Sequence, residues 1–185
     1  MQGLVQITGP PRRALCPETQ AIWNGQVGLR YAGPVVPEWL AAENLSDGEL
    51  KLVLVSFAEV HPLHKVPAYH FRLVHRPTGK DAGHVNLRVG HTAHVERFAG
   101  HIGYAVNEPH RGHRYAARAV GLLLPVARRL GLDPVWITCD PENTASRRTL
   151  EIVGAEFVET VEVPADCAIF QSGHPRKCRY RLSSA

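Results

Sequence analysis

The stretch "NEPHRGHRYAARAVGLLL", Asn107 to Leu124, holds the most chemically suggestive spacing in the chain. Arg111, Gly112, His113 and Arg114 stand where an extended segment gives way to a long helical one. The first amides of a helix have no partner inside it, and the helix dipole adds partial positive charge at the same end. Such a junction binds anions, and a diphosphate fits it. The expected donors are the amides of Arg111, Gly112, His113, Arg114, Tyr115 and Ala116. Gly112 lets a ligand approach the main chain, and Ala116 keeps the helix start uncrowded. Arg111 and Arg114 add side-chain charge.

The histidines invite a second chemistry, metal binding. His84, His91 and His94 fall within "HVNLRVGHTAH"; Cys167, His174 and Cys178 fall within "CAIFQSGHPRKC". Neither spacing matches a usual zinc set, and there is no CxxC or HExxH, so no metal is expected.

Elements on both sides must hold the Arg-Gly-His-Arg turn. "GHIGYAV", Gly100 to Val106, reads as the strand entering it. Ala116, Ala119, Val120, Leu123, Leu124, Ala127 and Leu130 repeat at helical spacing beyond it, and Gly131 fits the stop. Pro125 inside that pattern predicts a kink near Gly121. Earlier strands are expected over Glu49–Val60, Tyr69–Arg76 and His84–Gly90, with a short helix in "PEWLAAENL". After the long helix come a buried strand over Pro134–Cys139 and a helix ending at Gly154, capped by Asp140 or by Asn143. Strands over Ala155–Val163 and Lys177–Leu182 finish the chain. The order β-β-β-α-β-α-β-β from Tyr69 onward implies an α/β (α+β) fold, a mixed, mostly antiparallel sheet with helices packed on it. Residues 1–46, rich in Gly and Pro, read as an irregular extension on a domain spanning 47–185.

Composition bounds the possible partners. With 44% hydrophobic and 21% charged residues, the chain is globular rather than disordered. Net charge is +4 and the pI about 9.0, which suits an anionic partner. No basic tract extends beyond "PRK" or "RR", so nucleic acid is not expected. The longest apolar runs are too short for a bilayer, and the four scattered cysteines suit free thiols in a reducing cytoplasm. A monomer or homodimer is expected.

"GYAV" before "RGHRYA", then "VWITCDPENTASRRTLEIVGAEF", resembles the GNAT family of acyl-CoA-dependent N-acetyltransferases. The likeness covers roughly Tyr69 to Leu182 and is nearest to the branch that acetylates ribosomal-protein N-termini. It implies a splayed GNAT-like sheet and transfer of an acetyl group from acetyl-CoA to an amine, either a small molecule or a protein N-terminus, by direct attack in a ternary complex. A catalytically silent CoA-binding module is the alternative. The amides from Arg111 to Ala116 would hold the CoA diphosphate. The backbone of Tyr104, Ala105 and Val106 would pair with the pantetheine arm, and Asn143 and Ser146 would contact the same cofactor.

Two positions depart from the family pattern. Arg114 stands where the second glycine is usual, and the frequent general-acid tyrosine falls at Leu150. The amine needs a base, for which His101 is the first candidate and His84 with Asn86 the second. Tyr180 is the candidate acid, and an amide near Val106 the oxyanion donor. Only "HPLHKVPA" separates the first two strands, too short for the two helices that often shape the family's acceptor pocket. Either residues 1–46 or "PADCAIFQSGHPRK" complete that pocket, or the first strand is misassigned.

Overall fold

The computed structural model describes residues 36–183, so residues 1–35 of the expected extension lie outside the described residues. After a short helix α1 (Glu38–Ala42), four strands follow: β1 (Leu50–Ala58), β2 (Ala68–His75), β3 (Lys80–Arg88) and β4 (Ile102–Val106). They pair antiparallel in the order β1-β2-β3-β4. β3 starts at Lys80 rather than at His84, because the reversal takes only the residues between His75 and Lys80. There Gly79 takes φ +66° and its amide bonds the carbonyl of His75. The segment between the strands expected over His84–Gly90 and Gly100–Val106 folds into a π-helical turn over Val95–Ala99.

Helix α2 (Tyr115–Arg129) runs through Pro125 without interruption. Gly131 ends it at φ +85°, with its amide on the Arg128 carbonyl and that of Leu132 on Ala127, a Schellman stop. β5 (Val135–Cys139), helix α3 (Thr144–Ile152), β6 (Glu156–Glu162), helix α4 (Ala168–Gln171) and β7 (Arg176–Leu182) complete the described chain. β5, β7 and β6 form a second sheet in that order, again antiparallel. The expected splayed, mostly antiparallel arrangement is thus built from two antiparallel sheets meeting at β4 and β5. Real β1 and β2 joined by a short link also settle the strand assignment.

Strand alternation separates two faces of the first sheet. Tyr69, Phe71 and Leu73 of β2, Val85 and Leu87 of β3, and Ile102 of β4 are buried in one core with Ala119, Val120, Leu123 and Ala127 of α2. Each fully buried Leu or Phe contributes about 1.5–3 kcal/mol, so this layer anchors the start of α2 firmly. The opposite face is polar: His70, His84, Asn86 and Arg88 alternate with the core residues and are half-buried. No helix among the described residues is long and apolar enough to cross a membrane.

Candidate active site

The chain leaves β4 through a single 3-10 turn, Glu108–His110, and reaches α2 by way of exposed Arg111, Gly112, His113 and Arg114. Gly112 takes φ +84°, and Arg114 stands at φ 57°, ψ 24°, the left-handed conformation that glycine adopts freely. These two residues curl the main chain so that its donors converge ahead of the helix. The first bond of the helix runs from the Arg118 amide to the Arg114 carbonyl at 3.0 Å. No acceptor among the described residues faces the amides of Gly112, His113, Arg114, Tyr115, Ala116 or Ala117. The Arg111 amide, expected in this set, is instead bonded to the Glu108 carbonyl at 3.2 Å, and Ala117 takes its place.

Side chains brace the turn from behind. Tyr115 is buried, with the His113 ring stacked 5.4 Å from its own. One turn on, Arg118 is held by Asp47 through Nε at 2.6 Å and by Glu49 through Nη1 at 2.8 Å. Its guanidinium pulls both carboxyls below their usual range.

β4 leaves one edge open. The Arg88 amide bonds the His101 carbonyl at 2.7 Å, and the Asn107 amide bonds the Ala82 carbonyl at 2.9 Å. Antiparallel alternation between these two points turns the backbone groups of Tyr104 and Val106 away from β3 and those of Ala105 toward it. Tyr104 and Val106 are thus the residues able to pair with an extended ligand. Arg111 Nε already donates to the Val106 carbonyl at 3.1 Å, which leaves the Val106 amide on that edge.

At its other end β4 is clasped to β5. The His101 amide donates to the Trp136 carbonyl at 2.6 Å, and His101 Nδ1 accepts from the Trp136 amide at 2.9 Å. His101 Nε2 meets the Gly90 carbonyl at 3.1 Å. Gly100 lies so close that a Cβ there would sit 2.9 Å from the Thr138 nitrogen. His101 is therefore not the base expected from its strand position. It is fully buried, both ring nitrogens are engaged, and burial pushes its pKa down to about 4. Beyond this clasp no backbone bond joins β4 to β5 among the described residues, and the two sheets splay apart.

The helix-side wall of the gap is hydroxyl-rich. Tyr104 Oη and Ser146 Oγ lie 2.9 Å apart, tying β4 to α3. Asn143, not Asp140, caps α3, its Oδ1 accepting from the Ser146 amide at 3.0 Å. Asp140 is bonded instead to Lys177 Nζ and His174 Nδ1, both at 2.7 Å. Tyr180 is buried on β7, where its hydroxyl accepts from Arg147 Nε at 3.3 Å. Burial pushes the Tyr104 phenol up to about 12 and the Cys139 thiol up to about 11, so both stay protonated.

The polar face carries residues that the sequence reading passed over. The His70 ring lies 5.8 Å from that of His61, which stacks on His64 at 4.6 Å. His64 Nδ1 and His94 Nε2 are 3.0 Å apart, and Cys167 Sγ lies 3.8 Å from His94 Nδ1. The β1–β2 link and the segment around α4 thus meet over this face. Burial lowers the pKa of His64 to about 2 and that of His70 to about 4, and lowers that of His84. Arg88 sits among them, its Nη1 donating to the carbonyls of Gly100 at 3.1 Å and Ala99 at 3.3 Å. Alternation along "YHFRLVHR" and "HVNLRVG" marks this face, but not how the two strands align. His91, Glu96 and His101 also bring three ligand-type atoms within 4.8 Å, though the His101 nitrogens are already bonded.

Residues 23–156 match the family model for the acetyltransferase (GNAT) domain, well over half of the chain. No curated protein matches it significantly. Among solved structures it superposes on a Vibrio cholerae protein assigned as a ribosomal-protein-serine acetyltransferase. The TM-score is 0.57 at 20% identity, covering 77% of this chain and 98% of that one. It is also similar to the ribosomal-protein-S5-alanine acetyltransferase of Vibrio fischeri and to the microcin C7 self-immunity acetyltransferase MccE, solved with acetyl-CoA and AMP. Each gives a TM-score of 0.50 at 17% identity, covering 63% of this chain and 61% of the other. Those likenesses establish the fold, and the family match shows that the chain belongs to the GNAT family of acetyltransferases.

Proposed function

We propose that the chain transfers an acetyl group from acetyl-CoA to an amine by direct attack within a ternary complex. The observation that carries this is the run of unpartnered amides from Gly112 to Ala117 at the foot of an open strand edge. The diphosphate binds those amides, and the pantetheine arm runs back along Tyr104 and Val106. The thioester then lies in the gap between β4 and β5, short of the His101 clasp.

The amine nitrogen attacks the thioester carbonyl carbon, and an outward-facing β4 amide near Val106, beyond those that pair with the arm, stabilises the resulting oxyanion. As the tetrahedral intermediate collapses, the C–S bond breaks and the nitrogen sheds its proton. His84, opposite Ala105 on the polar face, receives that proton; its lowered pKa keeps it neutral near pH 7. Tyr180, whose hydroxyl accepts from Arg147 Nε, protonates the departing thiolate. The amine is a protein N-terminus or a small molecule. Thiol release from acetyl-CoA across a panel of amines tests the proposal. Tight CoA binding with no thiol release for any amine would overturn it.

A further inference from the structure

Among the described residues, the arginines without a carboxylate partner are exposed, with one exception, Arg88. Arg118, Arg129, Arg148, Arg176, Arg179 and Arg181 each face a carboxylate. Arg88, half-buried at the end of β3, faces none among the described residues. A cation withdrawn from water without a counter-charge is costly, and a site that keeps one is suited to an anion supplied from outside.

The direction of the guanidinium points the same way. Nη1 is occupied by the two carbonyls of the turn before β4. Nε and Nη2 have no partner among the described residues, and neither is a sealed donor left unsatisfied. That pair is the side-on edge of the guanidinium, the fork that a carboxylate meets with two parallel bonds. It lies against the open strand: a Cβ on Gly103 would come within 3.3 Å of Nη1 and 3.4 Å of Nη2. The surrounding imidazoles of His64, His70 and His94 are held neutral by burial and by Arg88 itself. These imidazoles therefore add no positive charge to the one that Arg88 carries.

Resting on the acetyl-transfer reading above, we propose that the acceptor is an amine that also carries a carboxylate, and that the Nε/Nη2 edge of Arg88 selects it. The carboxylate belongs to a free amino acid or to an acidic side chain beside a peptide N-terminus. Calorimetric titration of the CoA-loaded protein separates these sources. One arm uses L-amino acids against the same residues as carboxamides. The other uses short amidated peptides with Asp or Glu against Asn or Gln at the first two positions.

In one arm the acid should bind about ten-fold or more tightly than its uncharged counterpart, the worth of a charged hydrogen bond. Arg88→Gln should erase that preference while CoA affinity holds, and Arg88→Lys should keep only part of it. Equal binding of acid and uncharged partner in both arms of the wild-type protein, or binding of neither, overturns the proposal without reference to any variant. Thiol release is followed separately. Carboxylate-selective binding without thiol release would sink acetyl transfer alone, and thiol release indifferent to the acceptor's charge would sink the role of Arg88 alone.

Discussion

Arg114 holds a left-handed backbone that costs an L-residue about 1–2 kcal/mol, and its side chain bonds nothing among the described residues. Arg114→Gly should therefore raise stability by about 1 kcal/mol in urea denaturation. Gly112 offers a sharper test of the phosphate site. Its φ of +84° strains any side chain, but an added Cβ would meet nothing within 4 Å. Gly112→Asn and Gly112→Asp share that strain and differ in charge. Asp should weaken CoA binding about 100-fold more than Asn, because it sets a carboxylate against the diphosphate. Similar CoA affinities for the two variants would place the diphosphate elsewhere. Tyr180→Phe should cut kcat about 10–100-fold with the KM for acetyl-CoA unchanged, since only the proton on its way to sulfur is lost.

The β4–β5 clasp belongs to the elements it joins. Replacing His101 by Ala orphans the Trp136 amide and the Gly90 carbonyl, so stability should fall by about 2–5 kcal/mol, measured by denaturant unfolding. A pH–rate profile that keeps its shape in the surviving folded fraction would confirm that His101 positions strands and moves no proton. Why the clasp escaped the sequence is instructive. Period-two alternation tells which face His101 takes, but its partner Trp136 lies 35 residues away, and nothing local announces the pairing. Gly100 was the available hint, a glycine placed where backbones nearly touch. The phosphate turn was legible because its chemistry is local: a glycine, a helix start and the strand before it. Helix α2 was legible as well, although it buries Ala117 and Val126 more fully than Ala116 and Leu124. Arg88 escaped because a lone arginine at an alternating position looks like solvent-facing charge until β2, the β1–β2 link and the segment before β4 bring His70, His64 and His94 around it.

Across the described fold, buried imidazoles tie stability to acidity. His64, His70 and His101 have pKa values near 2, 4 and 4, below the ordinary 6.5, because burial excludes their charged forms. A base whose folded pKa is depressed contributes stability that is fully present above 6.5 and lost as the pH falls toward 4. The denaturation midpoint should therefore drop steadily between pH 7 and pH 4.5, and unfolding near pH 5 should take up about three protons. A flat midpoint over that window would show that these rings are protonated in the folded protein. The clasp at Gly100 and His101 has one further consequence. A slot whose inner wall is main chain riveted to main chain cannot deepen to suit its guest, so it gauges the tail of whatever thioester enters. Acetyl should be turned over best, with propionyl, butyryl and longer chains falling away step by step as each added methylene meets that wall.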